Sequence, residues 1–169
     1  MDAVRLIMAT RHALEQAWQV QDLITEAWQA QALAEAVGGH LALHGPPELR
    51  AAGFSVCEAG GGRGCGPVGV PGPRMDAVRA AILTGVREPA RALTELRDLL
   101  SELGAALVGV ACSADDEAVY WQCIDAVDAA EDSKDRVCAL LRAVGERPGE
   151  RPGERTSEDG SGERPGDRI

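Results

Sequence analysis

Aromatic residues make up only 3% of this 169-residue chain: Trp18, Trp28, Phe54, Tyr120 and Trp121 are all of them. A core filled by large rings is thereby excluded, and the interior must come from Ala, Leu, Val and Ile. Ala and Leu head the helix-propensity ranking, and small side chains let helices approach closely. Lysine is nearly absent, Lys134 being the only one. The basic residues are Arg, scattered among carboxylates, and the formal net charge is −10. With no basic patch and that sign of charge, long-range attraction to nucleic acid or to an anionic membrane surface is disfavoured. No long apolar run occurs either. The longest, Ala105 to Cys112, is broken by Gly109 and falls well short of the ~20 residues that span a bilayer. Met1-Asp2-Ala3-Val4-Arg5 has none of the features of a signal peptide. A soluble, cytoplasmic protein is expected. In that compartment Cys57, Cys65, Cys112, Cys123 and Cys138 should be thiols, and their odd number argues against a simple disulfide framework.

Proline is missing from the first 44 residues, and glycine is missing until Gly38. That would permit one very long helix, but the apolar stripe changes phase. Val4, Ile7, Met8, Leu14 and Trp18 share one face; a new stripe runs through Leu23, Ala27, Ala30, Ala34, Val37 and Leu41. The sequence therefore predicts two helices, about 2–19 and 22–43, with Asp22 as the second N-cap and Gly38-Gly39 as a place to fray or kink. Gly45-Pro46-Pro47 ends the second helix. A short helix from Pro47 to Ala59, weakened by Gly53, precedes a Gly/Pro-rich loop over 60–74. Met75, Val78, Ile82 and Val86 form a further stripe. Leu93, Leu96, Leu100, Leu103, Leu107 and Val110 form the strongest, in a helix opened by Pro89, with Gly104 and Gly109 available for close helix packing. Ser113, followed by Asp115 and Asp116, reads as the start of the last helix. That helix carries Tyr120, Ile124, Val127, Val137, Leu141 and Val144, with a bend expected at Asp132-Ser133. From residue 146 to 169 the composition collapses to Glu-Arg-Pro-Gly units with no apolar residue before Ile169, and such a segment is expected to be disordered. The expectation is an all-α bundle of about five helices over 1–145, with a mobile central loop at 60–74 and a disordered tail at 146–169.

Motifs are few. Met75-Asp76-Ala77-Val78-Arg79 repeats Met1-Asp2-Ala3-Val4-Arg5, which coincidence between two helix starts explains better than duplication. Cys57 to Gly66 resembles a phosphate loop at first sight. A Walker A loop needs Lys and Ser/Thr after its last glycine, and here Gly64 is followed by Cys65-Gly66. Gly64, Gly66 and Gly69 satisfy G-x-G-x-x-G formally, but no strand run precedes them, and Val70-Pro71-Gly72-Pro73 prevents an immediate helix. His40 and His44 share a helix face, and with Cys57 and Cys65 they supply the ligand types of a tetrahedral zinc site. The C-x₇-C spacing lacks the tight knuckle of such sites, so the two histidines are read as surface residues at a helix end, where a cation suits the dipole. No H-E-x-x-H occurs. Asp125, Asp128, Asp132 and Asp135 line one face and are read as solvated. Cys112, Cys123 and Cys138 fall in apolar patterns and are read as small core residues. Tyr120-Trp121 has the character of a protein-interface anchor.

Met1 to Ile7, Glu26 to Leu33, Gly45 to Arg50 and Glu58 to Gly66 resemble a family of small uncharacterised actinobacterial helical proteins, a domain of unknown function. The resemblance covers most of 1–145 and omits the tail. It implies a helical fold and transfers no activity. No catalytic residue, cofactor or metal is expected. The favoured expectation is a non-enzymatic interaction or regulatory protein that binds a protein partner or itself as a homodimer. The alternatives are a thiol- or metal-dependent sensor using Cys57 and Cys65, with His40 and His44, and, least favoured, a helical DNA-binding regulator.

Overall fold

The computed structural model describes residues 1–47, 49–50, 52–54 and 78–145. The fold is all-α. Four long helices, α1 (Ala3–Glu15), α2 (Val20–His44), α3 (Pro89–Ser113) and α4 (Glu117–Gly145), account for most of it. A 3₁₀ turn, η1, spans Arg79–Ile82. Residues 49–50 and 52–54 are also helical, within the short helix expected after Pro47. The Gly/Pro-rich segment 60–74 and the tail 146–169 lie outside the described residues.

α1 starts where Asp2 caps it: one carboxylate oxygen accepts from the Val4 amide at 3.2 Å, and the other from the Arg87 amide at 3.3 Å. A parallel bridge between Asp2 and Gly85, with the Thr84 amide donating to the Met1 oxygen at 2.9 Å, also joins the chain start to the segment before α3. α1 ends at Glu15, four residues earlier than expected. The Gln16 and Ala17 amides bond to Ala13 and Leu14 oxygens, tightening the last turn. Trp18 then falls in the connector and is 88% exposed instead of extending the α1 stripe. Met8 is likewise exposed, while Leu6, Ile7 and Thr10 are buried. Gln19, not Asp22, occupies the N-cap of α2; Asp22 sits in the first turn, where the helix dipole favours a carboxylate.

α2 is the central helix. It packs against α1, α3, α4 and η1. The expected stripe from Leu23 to Leu41 is buried throughout, but so are Ile24, Leu33, Gly38 and Ala42 beside it. A helix buried on more than one side carries a wider apolar band than a single stripe. Gly38-Gly39 leave it unbroken as far as His44. Beyond Gly45 the chain turns back, so that an added Cβ at Gly53 would lie 2.7 Å from the Ala42 nitrogen and 2.8 Å from the Gly38 oxygen.

α3 supplies the largest buried set: Leu93, Leu96, Leu99, Leu100, Leu103 and Leu107 are each at most 1% exposed. Its most extensive interface is with α4, to which Ala114–Asp116 connects it as an antiparallel hairpin. Gly104 lies in that interface, an added Cβ there meeting Glu131 Oε1 at 3.5 Å; Gly109 faces open space and does not serve close packing. Ser113 does not start α4. It ends α3, its hydroxyl donating to the Gly109 and Val110 oxygens, both at 3.1 Å. Asp116 is the cap, its carboxylate accepting from the Ala118 amide at 2.8 Å. α4 runs on through Asp132-Ser133 to Gly145. It buries Cys123, Ala130, Val137 and Leu140, while Ile124, Val127, Leu141 and Val144 are half-buried.

The stripe drawn through Val78, Ile82 and Val86 does not form an α-helix. The chain there is the short turn η1 between extended residues, and Ile82 is 53% exposed. Polar anchors hold this segment together with Ala80, Leu83 and Val86, which are half-buried against the core. The two MDAVR copies thus differ in structure: Val4 and Arg5 are α-helical, whereas Val78 is extended and Arg79 opens η1.

Candidate functional site

The sequence-derived site residues separate into two groups. Cys57 and Cys65 lie outside the described residues, as does the glycine-rich segment between them. His40 and His44 stand on successive turns at the C-terminal end of α2. Their rings stack with centroids 4.6 Å apart and planes inclined at 27°. His44 Nδ1 lies 3.3 Å from the His40 carbonyl oxygen. A carbonyl accepts only, so this contact places a proton on Nδ1, and in the neutral ring Nε2 is then the acceptor. His40 is half-buried and His44 exposed. Burial, with the neighbouring His44, holds the His40 imidazole below its ordinary pKa.

The aspartates of the α4 stripe, Asp125, Asp128, Asp132 and Asp135, are all exposed, in keeping with a solvated face. Among the described residues no group of three or more His, Cys, Asp or Glu side chains is arranged to hold a metal ion. The three described thiols divide by environment. Cys123 is fully buried, and burial pushes its pKa up. Cys138 is half-buried. Cys112 is exposed and so is not the core residue its apolar neighbours suggest. It follows buried Ala111 at the end of α3, and one residue is about 100° of helix rotation.

Tyr120 and Trp121 sit in the opening turns of α4, beside the hairpin tip. Their rings meet edge to face, centroids 5.2 Å apart and planes at 80°. They remain 40% and 54% exposed, and the Trp121 indole donates to Glu117 at 3.4 Å. Next in sequence, Gln122 Oε1 is enclosed without a hydrogen-bond partner.

Two polar clusters were missed from sequence. Glu26 and Gln29, on the buried side of α2, receive Arg79: its guanidinium forks onto both Glu26 carboxylate oxygens, at 2.8 Å for one arm, and the Arg79 amide donates to Gln29 Oε1 at 2.9 Å. The Glu26 hydrogen bonds raise the Arg79 pKa, against the lowering effect of burial. Arg11 of α1 similarly joins Glu95 at 2.7 Å and Glu102 at 3.0 Å on α3, and the Glu95 bond raises its pKa. The only sequence signal was polar residues flanking an apolar stripe; their partners lie 53, 84 and 91 positions away. Both clusters tie elements together and are filled by their own partners, so neither offers a vacant binding position.

Among the described residues no helix is long and apolar enough to cross a membrane. No curated protein and no solved structure matches the chain. Residues 1–143 match a family of unknown function (DUF6099), a span that reaches almost to the end of α4. With that match over most of its length, and an all-α fold, the chain belongs to the DUF6099 family.

Proposed function

We propose that this protein acts without catalysis, by binding another protein or a second copy of itself, with Tyr120 and Trp121 as the anchor. The observation that carries this reading is the exposed aromatic pair at the start of α4. Four of the chain's five aromatic rings are exposed, Trp18, Phe54, Tyr120 and Trp121, and of these Tyr120 and Trp121 meet each other edge to face as one patch. Aromatic side chains of this kind dominate interface energetics because they bury much apolar area at low entropic cost. The net charge of −10 favours a protein partner over nucleic acid or an anionic membrane. A cytoplasmic setting fits the five cysteines, which would persist there as thiols.

The test compares wild type with a Tyr120→Ala/Trp121→Ala variant. Sedimentation velocity over a concentration series reads self-association, and a photo-crosslinker placed beside position 121 reads hetero-association in cells. The variant should lose association at least tenfold with its melting temperature unchanged. Association of equal strength in both proteins overturns the assignment of the anchor. Turnover of a substrate, abolished by substituting a spatial cluster of residues, overturns the non-enzymatic reading.

A further inference from the structure

The end of α2 holds a pair of imidazoles in contact with each other. His40 and His44 are one helical turn apart, stacked at 4.6 Å, half-buried and exposed respectively. We infer that they form a two-histidine site for a borderline divalent cation of the Zn²⁺, Ni²⁺ or Cu²⁺ class, with water filling the remaining positions.

Three features support this, each physically distinct. The first is spacing. An ion held by two imidazole nitrogens at ~2.0–2.1 Å each requires those nitrogens to lie no more than about 4.2 Å apart. The ring centroids are already 4.6 Å apart, so the two side chains are within reach of one ion once they rotate out of the stack to turn a nitrogen of each toward it. The second is orientation. In the neutral ring the His44 Nδ1–H bond to the His40 carbonyl selects the tautomer whose Nε2 is free to ligate, as backbone carbonyls do behind metal-bound histidines. The third is the local field. Both residues lie in the last two turns of α2, where the negative end of the helix dipole favours a cation. Imidazole suits Zn²⁺, Ni²⁺ and Cu²⁺ and discriminates against Mg²⁺ and Ca²⁺, which prefer oxygen. With two protein ligands the bound ion exchanges readily and keeps open positions. Binding would clamp the last turn of α2, directly before the chain turns back at Gly45. This site is independent of the Tyr120–Trp121 anchor, which is on another helix.

The experiment uses the full chain without a polyhistidine tag, titrated calorimetrically with Zn²⁺ at neutral pH and followed by thermal unfolding. Wild type should bind and melt at a higher temperature when Zn²⁺ is present, since a ligand of the folded state stabilises it by mass action. His44→Gln and His40→Gln should each weaken binding by tenfold or more and abolish the shift, whereas exposed His12→Gln should leave both unchanged. A Cys57→Ser/Cys65→Ser variant should bind as wild type does. Absence of binding overturns the inference, as does binding that survives His44→Gln or is lost with the two cysteines. His44 is exposed, so its variant folds and the result is decisive even if His40→Gln is unstable.

Discussion

Cys112 and Cys123 carry the same thiol into opposite environments. Cys112 is exposed at the end of α3, whereas Cys123 is fully enclosed, where burial favours the neutral thiol over the thiolate. The thiolate is the reactive species, so native protein treated with iodoacetamide should be alkylated at Cys112 and spared at Cys123. Cys123 should react only once denaturant is added. Peptide mass spectrometry separates the two, and equal native labelling would contradict the burial. Gly53 is a second residue whose role is purely local. A methyl group there would meet α2 backbone at 2.7–2.9 Å, and backbone cannot move aside as a flexible side chain can. Gly53→Ala should therefore destabilise by about 1–3 kcal/mol, the range for overpacking, and lower the melting temperature. Neither property was readable beforehand. Cys112 sits in an apolar run, and Gly53 looked only like a weak point in a short helix.

At the scale of elements, helix interiors were legible, as were the ends marked by Gly45 and Pro89, but the ends that rest on a choice of cap were not. Each Leu from Leu93 to Leu107 in the predicted α3 stripe is buried, because a face repeated over several turns has only one side that can meet the core. Those ends depend on single hydrogen bonds between competing candidates. Ser113 and Asp116 are both good caps, and only the position of the hairpin turn decides between them. The decision is testable. Asp116→Ala should cost about 1 kcal/mol through loss of the 2.8 Å bond to the Ala118 amide. Ser113→Ala, which loses only bonds within its own helix, should cost less. Chemical denaturation of the two variants reads the difference, and a larger loss for Ser113→Ala would reverse the assignment. The segment 78–86 failed for a related reason. Its apolar residues have helical spacing, yet what shapes it is long-range: Arg79 bonds Glu26 and Gln29, Gly85 and Thr84 pair with the chain start, and Leu83 and Val86 lean on the core from a non-helical backbone.

Across the whole molecule, α2 and the α3–α4 hairpin form the frame to which the other elements attach. α2 contacts every other long helix, and Arg11 fastens α1 to α3 through two carboxylates seven residues apart. The buried leucines, alanines and valines of that frame all precede residue 146, and the family match ends at 143. Beyond 145 the sequence has no apolar residue before Ile169. A chain ended at Gly145 should accordingly keep the wild-type melting temperature and a single cooperative transition by calorimetry. A clear loss of stability would show that the tail contributes packing its composition does not suggest.

The sequence by itself determined the helical class, the apolar faces of α2 and α3 and the absence of familiar catalytic motifs. Those follow from periodicity and composition, which act over one to several turns and need no partner. It also placed His40 and His44 on one face, because residues four apart on a helix always are. Only the tertiary structure decided the rest: that Trp18 is exposed while Tyr120 and Trp121 stay half-open, that Glu26 is buried against Arg79, and that Gly53 abuts α2. The physical reason is common to all of these. Exposure and long-range pairing depend on which surface of one helix meets which surface of another, and that choice is made jointly by residues far apart in the chain.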